Sequence, residues 1–331
     1  GFNKWLVKDG IIEDGLEKSS RAPRTAAGIK EDGSFVLYTV DGRQKNYSMG
    51  FSMAELAERM LDLGCVQAVN LDGGASTQLF ATLPGSEAQT QINRDSQAKG
   101  IRSSGNYIVF KNDAEGSGEA SRLYLYPYGE YLLSGASLQL EAKAVDDVYK
   151  PCEVPDGVHY SLGDGVQGSI DADGLFRAGG EAGQAVVSAR AGNASGSVFI
   201  NVVSNPDEII AYLGESSQGD QLVAIGQSYQ LSAKAFWRMQ ELKSEAACYS
   251  WSVEGDIGSI DEESGLFTAE GANGAFGTIT CRAGDASSSI QLELVRTTPT
   301  QLLQPWILEI VDAAAKIDAA EQPDAEVQIG L

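Results

Sequence analysis

The sequence predicts a multidomain chain: an α+β N-terminal domain, a mixed sheet with a crossover helix, followed by two all-β sandwiches. Three observations carry this expectation. Residues 159–203 and 250–295 align with each other, Ile170 with Ile260 and Leu175-Phe176 with Leu266-Phe267. The first 118 residues read differently, as strand, helix and strand. The charge divides at the same place: residues 1–118 hold 13 Lys and Arg against 15 Asp and Glu, while the other 213 residues hold 11 against 31 of the total of −22.

In the N-terminal segment, FVLYTV at 35–40 is a continuous apolar run, as expected of a strand covered on both faces. SMAELAERMLDLG follows. Ser52 with Glu55 forms a capping box, Met53, Leu56, Ala57, Met60 and Leu61 share one stripe, and Gly64 sits where a helix C-terminus prefers glycine. A second strand through Ala68, Val69 and Leu71 then runs into Asp72-Gly73-Gly74. A strand, a crossover helix and a strand predict parallel neighbours with a right-handed connection. That topology sets Asp72 at a strand's carboxyl end, where open α/β sheets bind ligands.

In the repeated part, the period of about 90 residues is the size of a sandwich module. Alternating runs at 185–189 and 198–202, punctuated by Gly-rich turns, suit short antiparallel strands. The modules begin near Arg122 and Glu208, with early strands such as SLQLEAKAV and SYQLSAKAF. Their shared pattern, G-x-I-D-x-x-G-L-F-x-A, a Gly-rich turn, A-x-A-G and a last alternating strand, resembles the bacterial Ig-like domain of group 2. The resemblance implies spacers or adhesive arms on surface or secreted proteins. Expected boundaries are 1–118, 119–204, 205–297 and 298–331, the last a helical and acidic tail or the start of a further domain, with Ile307, Ile310, Val311, Ala314 and Ile317 at helical spacing.

Composition excludes several classes. So negative a chain repels nucleic acid and anionic lipid. No apolar run reaches the roughly 18–20 residues of a membrane helix. Gly1 is preceded by no initiator Met and opens no signal-peptide pattern, which leaves a mature, trimmed or partial product. Cys65, Cys152, Cys248 and Cys281 lack metal-ligand spacing, and buried free thiols are favoured over a Cys248–Cys281 bridge. The one histidine, His159, lies far from the first segment, which leaves carboxylates there as the main proton carriers.

AVNLDGGAST at 68–77 is therefore the candidate site. A carboxylate at the end of a buried strand costs free energy unless partnered, and such settings displace pKa values. Gly73 and Gly74 let backbone approach a ligand and aim N–H groups at an anion. Ser76 adds a hydroxyl. The competing reading is an Asp-Gly turn. Arg24 before one strand, and Asn93 and Arg102 before another, supply groups suited to a carboxylate or phosphate.

The succession R-T-A-x-G-I, D-G-x-F/L, V-D-G-R, S-x-G-x-S/T-x-x-E-L-A, L-G-C/A, A-x-N-L-D-G-G-x-S-T, N-x-x-S and R-x-x-x-N, from about Trp5 to Phe110, resembles the C-terminal part of the phosphodiester glycosidase domain. The resemblance implies hydrolysis of a sugar 1-phosphodiester, N-acetylglucosamine being the family's sugar. It carries Asn70, Asp72, Gly73, Gly74 and Ser76 over as the site signature and Arg24, Asn93 and Arg102 as recurrent positions. Asp72 would act at the glycosidic centre, arginines would hold phosphate, and Asn70 would orient Asp72 or a sugar hydroxyl. Ala75 stands where the family usually has Gly. The family's N-terminal half is not found before Gly1, which implies a fragment, a complementing polypeptide, or self-association through an exposed strand edge.

The expected substrate is a wall or capsular glycan carrying a sugar-1-phosphate diester, and the expected location is the outside of a bacterial cell. The alternative is a non-catalytic surface glycan-binding or adhesion protein, for which Trp237, Trp251 and YLYPYGEY are the candidate platforms, though core or inter-domain packing suits these aromatics better. No cofactor is expected. Calcium on Asp72 and backbone carbonyls is the one metal alternative.

Overall fold

The computed structural model describes residues 4–45, 47–96, 102–103, 105–163, 168–217 and 221–296. The expected tail at 298–331 lies outside them.

The N-terminal segment builds a five-stranded sheet from β1 (Lys4–Lys8), β2 (Ile11–Ile12), β3 (Arg24–Lys30), β4 (Phe35–Val40) and β5 (Cys65–Asn70), in the order β2-β1-β5-β3-β4. A single helix, α1 (Met53–Asp62), joins β4 to β5. It begins as the sequence indicates: the Ser52 hydroxyl accepts from Glu55 N–H, and the Glu55 carboxylate accepts from Ser52 N–H at 2.8 Å. Leu56, Ala57 and Met60 are buried against Leu6, Ala26, Cys65 and Ala68, with Met53 and Leu61 at the edge of the cluster. Gly64 follows the helix at φ +85°.

The topology corrects the expected mixed sheet. Every ladder is antiparallel, and β3 lies between β4 and β5. β4 and β5 run the same way, as a crossover requires, but they are not neighbours. The strand that separates them offers Ala26 and Ala27, small enough to lie in a sheet beneath a helix. FVLYTV is likewise an edge strand, none of it fully buried, and Phe35 is exposed and contacts the Phe110 ring at 5.2 Å. A continuous apolar run records side-chain type, not coverage, and here it overstated burial.

After β5 the chain makes a 3-10 turn, Gly74–Ser76, and a hairpin of β6 (Phe80–Thr82) and β7 (Gln89–Gln91). The remainder is two β-rich units, each with two sheets around one core. In the first, β8 (Arg122–Tyr126), β9 (Tyr131–Leu133) and β11 (Glu141–Val145) belong to a seven-stranded sheet, and β10 (Ser137–Gln139) to a three-stranded one. SLQLEAKAV thus passes from one sheet to the other at Leu140. SYQLSAKAF instead lies in one long strand, Ser228–Trp237, which pairs first with Leu266–Ala269 and then with Glu208–Leu213 within one five-stranded sheet. Phe176 and Phe267, equivalent in the repeat, are both fully buried, paired with Ile170 and Ile260. All four cysteines are free.

Candidate functional site

The starts and ends of three strands converge at one end of the N-terminal sheet. Register puts Arg24 opposite Val40 and Ala26 opposite Asn70, so the loops after β4 and β5 emerge beside the start of β3. Leu71 N–H donates to Thr25 O at 2.8 Å, which prolongs the β5 to β3 contact by one residue.

Asn70 is 2% exposed. Its amide N–H donates to Leu71 O at 2.6 Å, while Oδ1 has no hydrogen-bond partner among the described residues. A buried acceptor without a donor costs about 1–3 kcal/mol, so this end of the sheet is polar at some expense. Asp72, two residues on, is exposed, which corrects the expectation of a carboxylate held in a buried strand end. The chain leaves the sheet directly after Leu71.

The glycines also act otherwise than expected. Gly73 N–H donates to Asp72 Oδ1 at 3.0 Å and Gly74 N–H to Pro23 O at 2.8 Å, so neither N–H is free to cradle an anion. What they provide is closeness. A Cβ on Gly73 would stand 2.8 Å from Pro23 O, and Gly74 has φ +64°. Ser76 is half-buried within the 3-10 turn.

The cation at this turn is Arg43, which the sequence reading quoted within V-D-G-R without assigning it to the site. A Cβ on Gly74 would meet Arg43 Nη1 at 3.3 Å and Cζ at 3.8 Å. Arg43 is exposed, adopts φ +57°, and pairs with no carboxylate among the described residues. Arg24, by contrast, is committed. Its Nε donates to Phe51 O at 2.9 Å and Nη2 to Ser20 O at 2.8 Å, with Glu17 3.9 Å away. Burial holds Arg24 below the ordinary guanidinium range, Glu17 opposes that, and the positive charge of Arg43 adds to it. The two arginines therefore share one field, with Arg43 the outer of the pair.

Asn93 likewise faces protein. Its Oδ1 accepts from Leu79 N–H at 2.7 Å, and its Nδ2 donates to Thr77 O at 3.0 Å and to Asp41 Oδ1 at 3.2 Å. Asp41 also accepts from Arg94 N–H at 3.0 Å and from the Tyr47 hydroxyl at 3.0 Å. Burial, then this bond, raises the Tyr47 pKa. Asp41 and Asn93 thus clamp the loop carrying Arg43 to the segment leaving the Asp72 turn. Arg102 is exposed, and its carbonyl accepts from Gln78 Nε2 at 2.8 Å. The signal for Arg43 and Asp41 was their position: two polar residues directly after a strand that ends beside Arg24.

Residues 1–111 match the phosphodiester glycosidase family. That is the segment holding every residue just described. The SPbeta prophage-derived uncharacterized protein YomE of Bacillus subtilis strain 168 is 37% identical over 82 residues, 23% of this chain and 13% of YomE. A Burkholderia pseudomallei K96243 protein of solved structure is 38% identical, with 25% of this chain and 14% of that one covered and a TM-score of 0.21. Domains 4 and 5 of the S-layer protein SbsC are 17% identical, with 54% of this chain and 99% of that one covered and a TM-score of 0.25. The chain thus spans only a small fraction of the first two relatives. Among the described residues, no helix is long and apolar enough to cross a membrane, and no cluster of three His, Cys, Asp or Glu is placed to hold a metal.

Proposed function

We propose that this chain hydrolyses sugar-1-phosphodiesters, such as those of N-acetylglucosamine in a wall or capsular glycan, on the outside of a bacterial cell. The observation that carries the reading is an exposed carboxylate, Asp72, two residues before the glycine against which the exposed Arg43 guanidinium lies, within the segment that matches the family.

The chemistry divides between these two groups. Water adds its hydroxyl to the anomeric carbon, the bond from that carbon to the phosphate oxygen breaks with its electron pair leaving on a phosphomonoester, and the water's remaining proton passes to that departing phosphate. Asp72 is the carboxylate at the anomeric side, where positive charge develops. Arg43 receives the phosphate, its planar fork suited to two oxygens at once. Phosphate leaves readily, so the second carboxylate usual in glycoside cleavage is dispensable. Arg24 adds a second positive charge for the phosphate beside Arg43, and Arg102 lies on the segment tethered to Gln78. Gly73, Gly74 and Ser76 shape the turn, Asn70 anchors its base and Asn93 its exit.

The test is sugar release from UDP-N-acetylglucosamine and from methyl N-acetylglucosamine-1-phosphate diester by the chain and by Asp72→Ala. Release that vanishes in the variant supports the reading. Binding of either compound without release, in wild type and variant alike, replaces it with a surface glycan-binding protein.

A further inference from the structure

We propose that the first sandwich is a working part of the site, and that Tyr126 is a positioning residue for the Asp72 turn. This rests on the reading above for its activity arm only.

The turn and the sandwich are linked by a short chain of contacts. Thr77, which closes the 3-10 turn, gives its carbonyl to Asn93, and Asn93 Oδ1 accepts from Leu79 N–H. Ile92 N–H donates to Leu79 O at 2.8 Å, which starts the β6–β7 hairpin. Thus the base of the hairpin is the exit of the site turn. The tip of the hairpin rests on the sandwich. The Tyr126 hydroxyl donates to Pro84 O at 2.8 Å, and Lys143 Nζ donates to the Ser86 hydroxyl at 3.4 Å. Gly85 lies so close to β11 that a Cβ would stand 2.5 Å from that of Lys143.

A second tether holds the same two bodies together. The carboxylate of Asp146, 3% exposed, accepts from Val148 N–H at 3.0 Å, Lys150 N–H at 2.9 Å and Gly118 N–H at 3.3 Å. Asn112 Nδ2 donates to Val148 O at 2.6 Å and Ser117 N–H to Asp147 Oδ1 at 2.9 Å. The segment that enters the sandwich is therefore fastened at Asn112, Ser117 and Gly118. Beside the docked tip lies a cavity of about 250 Å³ lined by Leu83, Pro84, Tyr124, Tyr126 and Tyr128 among others. Beside this open space the tip is held by the Tyr126 hydroxyl and by the close approach of Gly85 to β11. A six-strand-residue hairpin has little stability of its own. Its geometry, and with it the exit of the Asp72 turn, is set from the sandwich side.

The experiment compares the full chain with Tyr126→Phe, which keeps the ring, and Gly85→Ala, which wedges the tip off β11. Hydrogen exchange is followed at residues 74–93, and kcat and KM for sugar release are measured in parallel. The expected result is exchange faster by about tenfold in the hairpin and in the 74–79 turn alike, the scale of one lost hydrogen bond. In parallel kcat falls while KM holds, because a misplaced carboxylate impairs the reaction more than binding. Exchange that rises only at 83–89, or in neither variant, overturns the proposal, as does an unchanged kcat. If the wild-type chain releases no sugar, the glycosidase reading fails and exchange alone decides the coupling.

Discussion

Arg43 rests its guanidinium against Gly74, with Nη1 3.3 Å from where a Cβ on that glycine would stand. A Cβ at 74 would crowd the cation and oblige the exposed Arg43 tip to shift by a few tenths of an ångström. Gly74→Ala also places a Cβ at φ +64°, a strain of about 1–2 kcal/mol. We expect Arg43→Lys to lower kcat/KM for a sugar-1-phosphodiester by about ten- to a hundredfold, the loss of a bidentate contact, and Gly74→Ala to lower it at least as far. An Arg43→Lys variant with wild-type kcat/KM would remove the phosphate role from this residue.

Asp41 gathers three donors from two segments, Asn93 and Arg94 of one and Tyr47 of the other. Asp41→Ala leaves each without its acceptor, and a loss of about 2–3 kcal/mol is expected for the N-terminal segment. Urea titration followed by limited proteolysis of that segment reads it, and an unchanged midpoint would show the loops to be held elsewhere.

The capping box makes α1 sensitive to acid. Ser52 N–H, then Arg21, holds the Glu55 carboxyl below its ordinary 4.5. A depressed carboxylate contributes stability above the unfolded value and loses it as pH falls through the folded one. Exchange protection of α1 should therefore weaken below about pH 4.5, less so in Glu55→Gln, which lacks the titrating group. Ser52→Ala should cost about 1 kcal/mol at neutral pH, seen as a lower urea midpoint for helix loss.

The second sandwich should be sensitive to alkali. Burial pushes Cys281 from 9.0 up to about 12 and Tyr249 from 10.0 up to about 12. The protonated forms are the ones the fold accepts, so stability is complete below about pH 9 and falls as pH rises from there toward 12. Thermal unfolding between pH 8 and 11 checks this. Titration with a thiol reagent should find Cys281 and Cys65 unreactive until the chain is denatured, since both are buried.

Much of this architecture was legible in the residues, and the exceptions have physical causes. Ser52, Glu55 and Gly64 mark the helix because capping is local. Ile170, Phe176 and their equivalents mark a repeat because equivalent cores demand equivalent side chains. The placement of β3 between β4 and β5 was hidden, since antiparallel pairing across a sheet is a long-range choice that a strand, helix, strand pattern does not specify. At the site, Asp72 and its glycines were visible, but the direction of their N–H groups was not. That direction depends on Pro23 O, some fifty residues earlier. Arg43 stood in plain view, but its place against Gly74 is a contact between two loops thirty-one residues apart that local sequence does not specify.

Leu133 comes from the first sandwich by chain order, yet it is 1% exposed in one cluster with Trp251 and Ile279 of the second. Around it, Leu133 N–H donates to Lys243 O at 2.9 Å, Lys243 N–H donates to Tyr131 O at 2.8 Å, and Tyr131 stacks on Trp237 with ring centroids 5.3 Å apart. A cut in the chain between the two repeats would thus leave one half with a stranded leucine and the other with a hole. The pair should melt as a single cooperative block and carry tension as a rod, where independently folded beads on a string would give way one at a time.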